Sequence, residues 1–267
     1  MIRLSFIFIT LLLVFSSCVK SKEKNVQASK DFALVQTNIS YIAPLVIHTI
    51  QSQAYFIERM RSNMDTLNAT GVYNYISGDT VDIANENVIF EILYTQSIDI
   101  DEAFKNGSLI VEFDNYFDID SAECSISMTD FSINNHIVSG TMTVKRIGSN
   151  QFEIKTNNFK VFIGTRQISY QGVLTCNMGT GSASSLLYDN QLEVDETGML
   201  VDRFGALVQT IGTQLKRNFS CNWYATGITE IEDAEGNSQI LDFGNGTCDN
   251  LGLISSGDTE INFAFEH

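Results

Sequence analysis

The chain has 267 residues, 44% of them apolar and only 18% charged, so it can bury a proper core, which excludes an intrinsically disordered protein. A formal charge of −16 and a pI near 4.4 exclude a nucleic-acid backbone as partner, because that binding depends on clustered Lys and Arg neutralising phosphates. One proline and eighteen glycines suit a β protein with many turns.

Residues 1–17 carry a single positive charge, Arg3, followed by a twelve-residue run, 4–15, interrupted only by Ser5 and Thr10. Those are the dimensions of a secretory signal, too short to span a bilayer as a helix. Ser16 and Ser17 then lead into Cys18, which resembles the lipobox of bacterial lipoproteins, with Phe15 where that motif usually has Leu. The resemblance implies that Cys18 takes a diacylglycerol and then an N-acyl chain, and several acyl chains anchor a protein stably without spanning. Residues 18–30 read as the lipidated cysteine and a flexible tether, with four lysines against one glutamate in 19–30 and no apolar period. That charge favours lying beside anionic lipid.

Segment 31–68 has a helical period. Val46, Ile50, Ala54, Ile57, Met60, Met64 and Leu67 recur at three or four residues, and Pro44 fits the first turn of that helix; an earlier short helix is expected over 32–42. The stripe is expected to pack on a β-sheet face.

From Val72 onward the period shortens to two, and short apolar runs are bounded by Gly, Asn, Asp and Ser. Three related units begin at Gly78, Gly140 and Gly227. The first apolar residue of each middle strand follows after 12, 12 and 13 residues (Phe90, Phe152, Ile240), and a second glycine (Gly107, Gly172, Gly257) after a further 17, 20 and 17. Such periodicity marks one supersecondary unit reused to build a common core. In the third unit the stretch between middle strand and second glycine reads as a long polar loop. Segment 125–144 reads as a hairpin turning at Asn134 and Asn135. An insertion at 179–220 lengthens the spacing of leading glycines from 62 to 87 residues. It reads as strand and loop, because Gly205 and Gly212 weaken a helix over 199–214. The expected domain, 72–267, is mainly β, three antiparallel units as an extended twisted sheet, a sandwich or a partial barrel, with an N-terminal helical segment.

Setting Cys18 aside leaves Cys124, Cys176, Cys221 and Cys248, an even number in an exported chain, with three connectivities open. Cys221 and Cys248 fall in one unit, which favours that bridge, with Cys124 to Cys176 as the other. No Cys-x-x-Cys pair is present, so zinc is not expected. Acidic runs at Asp99, Asp101 and Glu102 and at Asp114, Asp118 and Asp120 offer oxygen ligands to Ca²⁺ without the spacing or loop glycine of an EF-hand. They read as the wet face of strands, so no cofactor is expected. The histidines His48, His136 and His267 are scattered, and no nucleophile elbow, zincin helix or phosphate loop occurs, so no catalytic residue is assigned. Among the aromatics, alternation along a strand places Trp223 with Cys221 and Ala225, buried against a bridge. Tyr224 then points the other way and is the leading ligand-binding candidate, with Tyr116 and Tyr73 beside it.

The series INNHIVSGTMTV at 133–144, CNWYATGITEI at 221–231 and ILDFGNGTCDN at 240–250 resembles lipoproteins of the Bacteroidota without an assigned function. The resemblance covers roughly 72 to the end and is most specific in the last forty residues. It implies a β-rich envelope protein and brings no catalytic residues. The expected function is a non-catalytic lipoprotein, structural or binding a glycan or protein partner. It would be anchored in the outer membrane on its periplasmic or cell-surface face. The alternative is a polysaccharide-directed hydrolase using a carboxylate pair, whose stereochemistry would follow from the carboxylate separation.

Overall fold

The computed structural model describes residues 26–42, 71–78, 87–98, 103–114, 120–179, 191–202, 205–211, 213–218, 221–233 and 236–265. Among the described residues one helix, α1 over 26–42, precedes fourteen strands, and the fold is mostly β. These are β1 (Gly71–Ser77), β2 (Val88–Ile98), β3 (Phe104–Phe113), β4 (Glu123–Ile133), β5 (His136–Gly148), β6 (Gln151–Ile163) and β7 (Arg166–Gly179). They continue with β8 (Gln191–Asp202), β9 (Gly205–Ile211), β10 (Leu215–Asn218), β11 (Thr226–Asp233), β12 (Ser238–Asn245), β13 (Leu251–Ser256) and β14 (Thr259–Ala264).

All fourteen belong to one open antiparallel sheet whose strands follow chain order, so a single sheet is adopted out of the arrangements the sequence left open. The inserted segment explains the one irregularity. β10 pairs with the beginning of β8 (Leu215 opposite Val194), and β9 pairs with its end (Leu200 opposite Leu207). β11 then pairs with both, so two short strands laid end to end fill the place of one. Strands expected in this segment are present among its described residues.

Alternation along each strand sends one set of side chains inward. On β5 to β8 the inward set includes Met142, Val144, Phe152, Ile154, Leu174, Cys176 and Val194, all buried. The outward set is Thr141, Thr143, Lys145, Glu153, Lys155, Thr175 and Asp195, none of them buried. The outer face is therefore one that water wets.

The inner face wraps α1. Ser29 Oγ donates to Gln239 on β12, Asp31 pairs with Arg166 at the start of β7 (2.9 Å), and Phe32 meets the Tyr170 ring edge-on at 6.5 Å. Arg217 on β10 donates to Ser40, and the Lys105 ammonium of β3 lies 6.0 Å from the Tyr41 ring. Strands β3 and β12 are eight places apart in the sheet, about 38 Å if it were flat at ~4.8 Å per strand, whereas a helix is only about 10 Å across. The sheet must curl to touch the same helix from both. Every residue of α1 from Asp31 to Ile42 is buried.

The curl has a local cause. Register slips at Gly107 on β3, between Ser127 and Phe131 on β4, at Gly140 on β5 and between Lys155 and Phe159 on β6. These bulges lie side by side. A Cβ on Gly107 would sit 2.1 Å from the Asp130 carbonyl oxygen, and one on Gly140 would sit 2.5 Å from that of Asn158. Both glycines have positive φ (94° and 117°), as do Asp130 and Asn158. On β7 and β8 the line continues as the cross-strand pair Gly172 and Gly198, both lying beneath the Tyr170 hydroxyl. Bulges bend strands, and a row of them creases the sheet around the helix.

The repeat is visible in the phase of the inward residues. Gly78, Gly140 and Gly227 all have positive φ (110°, 117°, 120°). Positions 12, 14 and 16 after each are buried: Phe90, Ile92 and Tyr94; Phe152, Ile154 and Thr156; Gln239, Leu241 and Phe243. The sequence aligned Ile240 with Phe90 and Phe152, but Ile240 is 44% exposed. Gln239 takes the inward position, and because side chains alternate, a one-residue slip exchanges the faces. The stretch read as a polar loop in this unit also contains β13, whose Gly252 and Ile254 are buried.

The Asn134–Asn135 hairpin is found as expected, both residues having positive φ (49° and 68°), as a type I′ turn requires. The tether is shorter than the sequence indicated, since 26–30 belong to α1, with Ala28 and Ser29 buried. The stripe from Val46 to Leu67, with Pro44, lies outside the described residues.

The curled sheet has two rims. One carries the turns at 134–135, 164–165 and 257–258, and the other carries the 149–150 turn and the 246–250 loop. The amino-terminal part of α1 lies at the first rim, where Arg166 and Gln239 hold it. Its last described turn approaches Arg217 and residue 222 near the second.

Candidate functional site

Among the described residues, the last three strands build a surface recess. Phe243 on β12 points inward and stacks on Phe265 (5.5 Å, 8° between planes), and Phe265 stacks in turn on Trp223 (5.6 Å, 21°). Tyr224 meets Phe243 edge-on at 5.6 Å, and Phe263 meets Phe265 at 5.0 Å. This aromatic bed supports the 246–250 loop.

The loop is fastened at several points. Cys248 is bridged to Cys221 (Cα–Cα 5.7 Å), Gly246 N donates to Ala225 O (2.8 Å), and Phe265 N donates to Asn250 O (2.8 Å). Three acceptors on its own chain shape the turns. Asp242 Oδ1 takes the Gly244 amide (2.8 Å), Asn245 Oδ1 takes the Thr247 amide (3.3 Å) and hydroxyl (2.9 Å), and Asp249 Oδ1 takes the Leu251 amide (3.1 Å). Such side-chain-to-backbone bonds are why Asp and Asn populate tight turns. Between this loop and β13–β14 lies an open recess of about 270 Å³ lined by Asp242, Asn245, Thr247, Asp249, Leu253 and Asn262. Its donors and acceptors are two carboxylates, two carboxamides and a hydroxyl, with leucine side chains beside them. That chemistry suits a ligand rich in hydroxyl groups.

The fate of the sequence-based candidates can now be read off. The Cys221–Cys248 bridge is present. The Cys124–Cys176 bridge is not: both are buried thiols. Cys124 is on β4 and Cys176 on β7, three strands apart, about 14 Å at ~4.8 Å per strand, far beyond the reach of a disulfide. Burial pushes the Cys124 thiol well above its usual pKa. Tyr224 is corrected as a ligand-binding candidate, because its side chain is 1% exposed. The error was to treat 221–225 as a strand; it is an irregular turn in which Cys221, Trp223, Tyr224 and Ala225 are all buried, so alternation does not apply. Cys18 and Tyr116 lie outside the described residues, as does the side chain of Tyr73, whose backbone pairs with Ile92.

Of the acidic runs, only Asp114 and Asp120 lie among the described residues. Asp114 Oδ1 accepts the Glu123 amide (3.0 Å), and Asp120 lies 3.6 Å from Arg146, while 99–102 and Asp118 lie outside the described residues. Among the described residues no group of three or more His, Cys, Asp or Glu side chains is placed to hold a metal ion. His136 is buried beside the β4–β5 turn, and His48 and His267 lie outside the described residues. No described helix is long and apolar enough to cross a membrane.

Sequence reasoning missed Asn245, Thr247 and Asn262, although the dense Asx and Gly residues of DFGNGTCDN were the available signal. It also missed Arg217, the largest fully buried side chain. Its Nε donates to Cys221 O (2.7 Å), its Nη1 to Ser40 O (2.7 Å) and Oγ (2.8 Å), and its guanidinium lies 4.4 Å from the Tyr41 ring centre. Ser40 lies in the last described turn of α1, and the guanidinium supplies a donor to its carbonyl. Arg217 thereby joins α1 to the segment that carries the disulfide.

Comparison with family models, with curated proteins and with solved structures finds no match to this chain.

Proposed function

We propose that this is a lipid-anchored, non-catalytic cell-envelope protein that binds a glycan in the recess beside the 246–250 loop. The observation that carries the reading is the fastening of that recess: a disulfide and hydrogen bonds fix the loop that carries Asn245, Thr247 and Asp249 beside Asp242 and Asn262. Preorganised polar groups lose little entropy when a ligand arrives. The leader, Cys18 and an intact disulfide agree with an exported chain on the outer membrane, at its periplasmic or cell-surface face.

The alternative, a polysaccharide hydrolase, would draw its acid pair from Asp242 and Asp249, which line the same recess. Each has one oxygen engaged by a backbone amide, which favours a structural role for both. A glycan array followed by calorimetry on the strongest hit separates the two. Wild-type protein should bind without releasing reducing ends, and Asn262→Ala, an exposed position on β14, should weaken binding by about tenfold, as loss of one charge-free hydrogen-bonding side chain does. Release of reducing ends that Asp249→Asn abolishes would establish the hydrolase instead, and an array without signal would end the glycan reading.

A further inference from the structure

The tether is short, and it enters the fold at one rim. Residue 26 lies eight positions after Cys18, which limits their separation to about 29 Å even when fully extended. Residue 26 opens α1, and Ser29 and Asp31, within the next two turns, are held by Gln239 and Arg166 at the rim of the 134–135 and 164–165 turns.

The outer surface at this first rim groups several exposed apolar side chains with a lysine; at the second rim Ile147 and Leu251 are exposed as well. Ile137 (55% exposed) stands opposite half-buried Phe162, while Val201 (40%) and Met199 (41%) project from the end of β8. Lys160 lies in the row between them, opposite Ser169, which pairs with Val201. Lys30 and the tether lysines Lys20, Lys22 and Lys24 add positive charge on the anchored side. On the other flank, β11 to β14 present Glu230, Glu232, Asp258 and Glu260, all exposed. An anionic bilayer attracts the first flank and repels the second.

We propose that the rim formed by the ends of β5 to β8, with Ile137, Phe162, Met199 and Val201, rests on the surface of the bilayer that holds the Cys18 lipid. The recess at the 246–250 loop is thereby turned away from that membrane. This orientation rests on the lipid anchor of the proposed function and goes beyond it in naming the contact surface.

The test uses the full acylated chain, purified from membranes and reconstituted into vesicles of phosphatidylcholine and phosphatidylglycerol containing a diazirine-bearing phospholipid. After flotation and illumination, mass spectrometry locates the lipid adducts. Adducts on peptides containing Ile137, Phe162, Met199 and Val201, with none on the 246–251 peptide, are expected. The double variant Ile137→Glu, Val201→Glu, at exposed positions that leave the core intact, should still float but lose adducts on β5 to β8 by about tenfold, the factor set by withdrawing an apolar side chain from lipid. Adducts on 246–251, or confined to the tether, overturn the orientation while leaving the anchor standing. Failure of the wild-type protein to float refutes the anchor itself and the orientation with it.

Discussion

Replacing Cys248 by serine removes the only cross-link found among the described residues, and the consequence can be worked through. The bridge closes a separation of 27 residues. Loop-closure entropy for that length gives about 3.5 kcal/mol of stabilisation at 25 °C, through restriction of the unfolded chain. For a chain of this size, each kcal/mol moves the midpoint of thermal unfolding by roughly 2–4 °C, so Cys248→Ser should melt about 7–14 °C lower. Scanning calorimetry of wild type and variant, each with and without a thiol reductant, is the assay. The reductant should lower the wild type to the level of the variant and leave the variant where it was. A variant melting within about 2 °C of wild type would refute the argument, as would one that reductant destabilises further, since the latter would reveal a second bridge. Recess binding should weaken in the same variant, because the loop that carries Asn245, Thr247 and Asp249 would lose its covalent attachment to the aromatic bed.

Three further outcomes follow from the packing. Arg217→Met keeps much of the volume but leaves the Ser40 and Cys221 carbonyls without the guanidinium; urea unfolding should show a loss of about 3 kcal/mol or more. Gly140→Ala places a methyl 2.5 Å from the Asn158 carbonyl at φ 117°, so the β5–β6 crease must shift, at a cost of about 2–4 kcal/mol, whereas Gly164→Ala, where nothing lies within 4 Å, should cost clearly less by the same measurement. The raised pKa of Cys124 has a pH signature. The folded chain holds the thiol proton more tightly than the unfolded one, so stability is unaffected below the ordinary thiol pKa of 9.0 and falls as pH rises above it. Cys124→Ala should flatten that alkaline decline.

What the sequence made legible was whatever local chemistry dictates. Period-two patterning identified the strands, two adjacent asparagines identified a hairpin turn, and the three leading glycines marked backbone positions that do adopt positive φ. The inserted segment could be read against a helix because glycines interrupt it. What stayed hidden depends on neighbours far along the chain. The spacing of Cys124 and Cys176 gives no warning that two whole strands stand between them. The exposure of Tyr224 was misjudged because alternation holds only within a strand, and the turn at 221–225 buries both sides. Nothing near Arg217 in sequence shows that its guanidinium is buried against the Ser40 carbonyl, 177 positions earlier. The recess escaped for a different reason: its residues were quoted as a motif, but their hydrogen bonding requires the loop geometry that the disulfide fixes.

The intact mass of the protein isolated from membranes, recorded before and after reduction with thiol alkylation, tests the account most directly. It predicts a chain beginning at Cys18 and carrying acyl groups there. Under denaturing conditions two thiols, Cys124 and Cys176, should be open to alkylation before reduction, and two more, Cys221 and Cys248, only after it. A chain that retains residues 1–17, a Cys18 without acyl mass, or four alkylated thiols before reduction would contradict it.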